Sequence, residues 1–362
     1  MSAGLHRISD LVARGFVKSA SAAGLEEIVS RYALAITPAM ADLIHADDLN
    51  DPIARQFIPD LREGETRPEE LADPIGDAAH SPIEGIVHRY SDRVLLKLLH
   101  VCPVYCRFCF RREMVGPGAE QVLSPKALDA ALNYIRAHDE IWEVILTGGD
   151  PLALSPRRLA DVLHQLDEIA HVKVVRIHTR VPAVDPTRID DAMMDALTST
   201  KKTLYVALHA NHARELGDAA SQALARMADA GIPLVSQTVL LRGVNDDFDT
   251  LAALMRRFVE LRVKPYYLHQ ADLAPGTSHF RVGLEEARAL VSELRAKVSG
   301  LCQPAFVLDI PGGFGKVPVG PDHLRGAGVV DHQGRTHVYP DAAYPASADS
   351  ADLGPARAKP DF

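Results

Sequence analysis

The sequence predicts an α/β fold: a partial (β/α)6-type parallel barrel with an N-terminal helical layer and a short C-terminal extension. Three observations predict it. From about residue 86, apolar runs alternate with helical segments, giving six such units and a closing strand. The connections between them are short. Nearly every unusual cluster of residues falls just after a strand-like run, where a parallel barrel keeps its chemistry.

Residues 1–85 are rich in Ala and Leu, with helical spacing over 24–34 and 39–45. Asp51-Pro52 and Asp73-Pro74 break that pattern. The barrel is expected over 86–300. It opens with residues 94–99, read as an apolar strand buried on both faces of a parallel sheet. Ser124-Pro125 caps and opens a helix to Ala137. A strand ends at 144–146, Ser155-Pro156 caps the next helix, residues 172–177 form a strand, and Asp185-Pro186 starts a helix. A strand over 204–208 precedes a helix closed by Gly231. Strands at 234–240, 266–268 and 305–308 alternate with helices at 247–261 and 284–298. Residues 301–339 carry a glycine-lysine loop and a C-terminal segment in which 329–339, with Gly334, reads as a hairpin. Residues 340–362 are aperiodic and rich in Ala, Pro and Asp, and read as a disordered tail.

A hydrophobic fraction of 47%, a charged fraction of 24% and a net charge of -9 describe an ordinary globular chain without the basic excess of a nucleic-acid binder. Membrane-spanning apolar runs and a signal-peptide core are both missing from the sequence. Three of the four cysteines are clustered, so no disulfide framework is expected, and a reducing, cytoplasmic setting follows.

The clustered cysteines are Cys102, Cys106 and Cys109, spaced CxxxCxxC. Soft thiolates suit zinc or an iron–sulfur cluster. In a cubane of four irons, three protein ligands leave one iron open to bind a substrate or cofactor. A structural zinc site with His100 as fourth ligand is the alternative. One strand on stands Leu146-Thr147-Gly148-Gly149-Asp150-Pro151-Leu152, where two glycines permit close backbone approach and Asp150 can accept from an ammonium. Near the end, Asp309-Ile310-Pro311-Gly312-Gly313-Phe314-Gly315-Lys316 puts a lysine on a glycine-rich loop, suited to a phosphate or to a Schiff base.

CxxxCxxC followed by two arginines, then GGDPL, then PGGxGK resembles the lysine 2,3-aminomutase family of the radical S-adenosylmethionine (SAM) superfamily. The likeness runs from about residue 30 to 320 and includes 88-HRYSDRVLL-96, 237-QTVLL-241 and 278-SHFR-281. It implies an isomerase that moves the α-amino group of lysine to Cβ, giving β-lysine. The implied cofactors are a [4Fe-4S] cluster on Cys102, Cys106 and Cys109, SAM, and pyridoxal 5′-phosphate (PLP). Gly148, Gly149 and Asp150 match the motif that holds the SAM amino group, and His209 and Gln237 match residues near SAM and the substrate. Lys316 matches the PLP lysine. Arg89, Tyr90 and Arg93 match positions on the PLP phosphate, for which guanidinium forks are suited. Arg111, with Arg112 as an alternative, matches the arginine on the substrate carboxylate, and Asp272 and Asp309 match the pair that grips the lysine ε-ammonium.

The resemblance also implies an amino acid as the partner small molecule, a flavodoxin or ferredoxin as reductant, and a homo-oligomer. It departs in two ways. The C-terminal segment lacks the zinc-binding cysteines of well-known members, so no zinc is expected, and Cys302 reads as an apolar core residue. Phe314 stands where glycine is usual. Production of β-lysine for modifying elongation factor P, or action on another amino acid such as arginine, remains an alternative, and a non-catalytic iron–sulfur or zinc protein is a third.

Overall fold

The computed structural model describes residues 4–48, 50–116, 122–325, 328–331 and 333–338. The expected tail, 340–362, lies outside the described residues. Among them the principal sheet has nine strands whose spatial order follows the sequence. These are β1 Ile86–Tyr90, β2 Arg93–Leu99, β3 Glu143–Gly148, β4 Val174–Thr179, β5 Thr203–His209, β6 Leu234–Val239, β7 Val263–His269, β8 Ala305–Ile310 and β9 Gly315–Pro318. β2 to β8 are parallel, and β1 and β9 pair antiparallel at the two edges.

The helices Pro125–Ala137, Pro156–Asp167, Asp191–Thr198, Asp218–Asp229, Phe248–Glu260 and Leu284–Lys297 connect successive parallel strands. Each lays an apolar stripe on the sheet: Leu132 and Ile135, Leu159 and Leu163, Leu224 and Met227, Leu254 and Phe258 are all fully buried. Helix–strand repetition in strict order rolls the sheet into a nearly closed barrel. The seam between its edges is bridged by the Lys316 amide, which donates to the Tyr90 hydroxyl at 2.7 Å.

Three of the predicted helix starts are built as expected. Ser124, Ser155 and Asp247 accept from the amides of Ala127, Arg158 and Thr250, with Pro at the first helical position of the first two. Three local expectations need correction. The strand placed at 172–177 runs Val174–Thr179, because Lys173 and Val174 still donate to the Trp142 carbonyl below the ladder. Asp185-Pro186 opens only a single turn, Pro186–Arg188; the helix starts after Asp190, whose side chain caps Met193. Asp51-Pro52 is a helix start, not a break: Asp51 accepts from the amides of Ile53 and Ala54 at 2.9 and 2.7 Å.

The edge strands β1 and β9 were not anticipated. β9 reads Gly-Lys-Val-Pro, and a terminal proline is well tolerated on such an edge strand. The expected hairpin is present as Gly328–Val330 against Thr336–Val338, with Gly334 at φ 77° between them. No helix among the described residues is long and apolar enough to cross a membrane.

The N-terminal layer is locked to the barrel by charge. Glu63, with no exposed surface, takes the fork of Arg107 at 2.9, 3.1 and 2.6 Å and a further guanidinium from Arg112. Both arginines come from the cysteine loop. Removing the carboxylate would leave two buried cations unpaired, which costs about 3–5 kcal/mol. Glu63→Ala is therefore expected to lower the unfolding midpoint by several degrees in a thermal scan, whereas Glu65→Ala, on the surface, should not.

Candidate active site at the carboxyl rim of the barrel

The carboxyl ends of β2 to β8 gather the chemistry-bearing residues on one rim. The cysteine loop leaves β2 and is held by backbone bonds to β3: the Gly149 amide donates to the Leu99 carbonyl and the Asp150 amide to the Val101 carbonyl, at 2.5 and 3.0 Å. This contact explains the two glycines. A Cβ at Gly149 would lie 2.1 Å from the Val101 oxygen, and one at Gly148, already at φ 110°, 2.4 Å from the Leu99 oxygen.

Asp150 is buried and fully engaged. It accepts from Leu152 N, Thr179 Oγ1, Arg180 N and Val181 N at 3.1, 2.6, 2.6 and 3.2 Å. Four bonds use the capacity of a carboxylate. In this structure Asp150 ties β3 to β4 rather than offering an oxygen to a ligand ammonium.

Cys102, Cys106 and Cys109 are free thiols. Burial pushes all three up, Cys109 to about 11; the charge of neighbouring thiolates adds to this at Cys102 and Cys109, and Arg180 opposes it at Cys106. Among the described residues no three His, Cys, Asp or Glu side chains converge on one ion position. Three soft thiols carried on one loop suit a cluster that takes one thiolate on each of three irons. Buried thiols need a cationic partner to ionise. One is present: Arg180 Nη1 donates to Cys106 Sγ at 2.8 Å.

At the seam, Lys316 Nζ is ion-paired with Asp309 on the neighbouring β8 and donates to His269 Nδ1 at 3.2 Å. The lysine expected on a flexible loop stands instead on a strand, in register with Asp309. The glycine loop before it packs on the turn at residues 73–77: a Cβ at Gly76 would lie 2.3 Å from Gly313 N. His80 donates to the Gly313 carbonyl at 2.8 Å. Phe314 is 79% exposed, with its ring against Gly312.

Lys316 and His269 hold the Asp309 carboxyl well below the usual range against the opposing effect of burial. Asp272 is different: burial, then the Asp309 charge, pushes its carboxyl up to about 7.

Arg89 and Arg111 meet on one carboxylate. Asp77 accepts from Arg89 Nη2 at 3.1 Å and from Arg111 Nη2 at 3.0 Å, and Arg89 also reaches the Ile75 carbonyl at 2.7 Å. Arg112, the alternative to Arg111, is buried on Glu63 and on backbone carbonyls, so it faces away from any substrate role. Arg93 lies 3.9 Å over the Tyr90 ring and pairs with Asp92.

His209 and Gln237 sit at the ends of β5 and β6. Gln237 Nε2 donates to His178 Nε2 at 3.0 Å. Burial lowers the pKa of His178 and His209 well below the ordinary value, so both are neutral. Buried atoms without a partner among the described residues include His209 Nε2, His269 Nε2 and Arg89 Nε. Unsatisfied buried groups on a rim of this kind mark where a ligand's polar atoms belong.

Five residues of the site escaped sequence reasoning. His178 and Arg180 lie just beyond the strand end placed at 177, and His269 just beyond 268; each obeys the rule that marks strand ends. Asp77 lies in an irregular turn that no periodicity announces. Lys97, half-buried within β2, interrupts the apolar run, and burial lowers its pKa.

A barrel with three clustered, half-buried cysteines on the loop after its first parallel strand is the arrangement expected of the radical SAM class, and residues 96–255 match the model described as the radical SAM superfamily. The chain is 39% identical over 301 residues to the L-lysine 2,3-aminomutase of Clostridium subterminale, spanning 83% of this chain and 72% of that one. It is 37% identical over 288 residues to the L-lysine 2,3-aminomutase of Escherichia coli, spanning 80% and 83%. A glutamate 2,3-aminomutase of Clostridioides difficile is 35% identical over 304 residues, spanning 84% and 71%. The chain belongs to the lysine 2,3-aminomutase family. Membership in the superfamily brings a [4Fe-4S] cluster and SAM, for which the three thiols and the unsatisfied rim atoms provide a fitting site.

Gly149→Ala is expected to displace the cysteine loop while leaving the barrel folded. Iron retained after anaerobic reconstitution should fall several-fold below wild type, with an unchanged far-ultraviolet circular dichroism spectrum.

Proposed function

We propose that this protein is an L-lysine 2,3-aminomutase, using the cluster, SAM and PLP to give β-lysine. The observation that carries the reading is the acidic pair at the seam. Asp309 and Asp272 flank the position of Lys316, and one already holds an ammonium while the other lacks one and is pushed up to about 7. Two neighbouring buried carboxylates are both stable as anions only with cations beside them.

When bound, the cluster and SAM would supply a carbon radical able to take a β-hydrogen, and PLP would supply a conjugated system able to stabilise a substrate radical while the nitrogen moves from Cα to Cβ. The chain's own groups have definable tasks. Cys102, Cys106 and Cys109 would hold the cluster. Lys316 is the group that would join PLP, with Asp309 and the imidazole of His269 both within hydrogen-bond reach to accept a proton from its ammonium. Drawing Lys316 away strips Asp309 of its cation, so a substrate ε-ammonium takes the vacated place between Asp309 and Asp272.

Arg111 is steadied by Asp77, and its Nη1 is uncommitted among the described residues, free for a substrate carboxylate. Arg89, with its buried unpaired Nε, together with Tyr90 and Arg93 would hold the PLP phosphate. The neutral His209 and Gln237 line the rim beside the cluster loop; Phe108 of that loop is 5.7 Å from the His209 ring.

The test is anaerobic turnover of the reconstituted protein with SAM, dithionite and a mixture of amino acids. β-Lysine is the expected product; β-glutamate or β-arginine would overturn the assignment of Asp272 and Asp309. Lys316→Ala is expected to abolish turnover, and full activity would remove the PLP reading.

Asp272→Asn is expected to raise the KM for lysine about 30-fold or more, the effect of losing roughly 2 kcal/mol from a buried charge pair. The pH dependence follows from the raised pKa. Below about 7 Asp272 is neutral and grips the ammonium weakly, so KM for lysine should fall as pH rises through 7, and Asp272→Asn should flatten that profile. In the free protein the sign for stability is opposite. The folded state keeps a proton that the unfolded chain loses near 3.8, so Asp272 removes stability as pH rises from about 4 to 7.

A further inference from the structure

Arg180, one residue past β4, takes no part in gripping the amino acid, yet it is among the most strongly held groups on the rim. It is 5% exposed. Its Nη1 donates to Cys106 Sγ at 2.8 Å, and its Nη2 to Gln56 Oε1 at 2.6 Å and Glu215 Oε2 at 2.7 Å. The guanidinium carbon sits 4.7 Å from the Phe57 ring centre and 5.5 Å from that of Phe108, so water is kept from both faces. Glu215 is itself fixed, with Oε1 accepting from Gln56 Nε2 and the amides of Asn211 and His212 at 3.0, 2.9 and 2.9 Å. The result is an oriented charge pair in an apolar setting, its positive end on the sulfur and its negative end farther away.

We infer that Arg180 sets the reduction potential of the cluster, with Glu215 moderating it; this rests on the cluster assignment to Cys102, Cys106 and Cys109. Reduction moves one electron from a donor protein of the flavodoxin or ferredoxin class to the cluster. The donor is oxidised by one electron, no proton moves and no bond forms or breaks. The added negative charge arises beside the guanidinium, where a low dielectric strengthens the attraction. Hydrogen bonds to ligand sulfurs and local charge are among the features that set cluster potentials. Arg180 is therefore a positioning residue that favours the reduced state, and Gln56 and Glu215 fix its fork against Cys106.

The experiment is a redox titration of the reconstituted full chain, followed by electron paramagnetic resonance, alongside iron and sulfide analysis. Arg180→Gln removes the charge and should move the potential to more negative values. Arg180→Lys keeps the charge but loses the fork, and should move it less in the same direction. Glu215→Gln removes the opposing charge and should move it to less negative values.

Opposite shifts for the arginine and glutamate variants, at wild-type iron content, are what a structural disturbance would not produce. An unchanged potential in Arg180→Gln, or shifts of the same sign in both, overturns the inference while leaving the cluster in place. If Arg180→Gln takes up no iron, the sign in Glu215→Gln and Arg180→Lys decides it. A wild-type chain that takes up no iron and sulfide overturns the cluster assignment itself.

Discussion

One buried carboxylate underlies the arrangement of this site. Glu63, in the N-terminal layer, neutralises Arg107 and Arg112, two guanidinium groups that the cysteine loop sends inward. Neither arginine could be buried without it. The loop carries three thiols, and its apolar burial rests on Val104 and Phe108. Its backbone is fixed at one end by Gly149 and Asp150 against Leu99 and Val101, and its arginines are fixed by Glu63. The helical layer that alone reads as a wrapping of the barrel is thus the anchor of the loop on which the chemistry depends.

The same layer reaches the rest of the rim. Gln56 and Phe57 end a short helix started by Asp51, and from there they meet Arg180. Asp77 gathers Arg89 and Arg111. Gly76 and His80 hold the glycine loop that leads into Lys316. The barrel's seam, where two antiparallel edge strands face each other, is therefore a built feature. Tyr90 on one edge and Lys316 on the other are tied directly, so closing the barrel and placing the lysine are one event.

Charge at the seam is balanced on one carboxylate and not on its neighbour. Asp309 is held as an anion by Lys316 and by contact with His269, while burial and the Asp309 charge push the carboxyl of Asp272 beside it up to about 7. Two carboxylates with one resident cation form a site that changes its protonation when a second cation enters. The neutral imidazoles of His178, His209 and His269 keep further positive charge away from that place.

Much of this was determined by the sequence alone. Alternating apolar runs and Ser-Pro starts specify the order of strands and helices, because period and capping are local properties. The spacing of Cys102, Cys106 and Cys109 specifies a metal loop, and the glycines after β3 specify a close approach. What the tertiary structure decided is who meets whom. Asp150 is saturated by its own chain, Arg112 belongs to Glu63 rather than to a substrate, and Lys316 lies on an edge strand paired with Asp309. Arg180, His178 and His269 were hidden because they fall one to three residues beyond the strand ends that local pattern could place. Asp77 and Glu63 were hidden for a deeper reason: a buried carboxylate is chosen by cations far away in sequence, and no local rule records that distance.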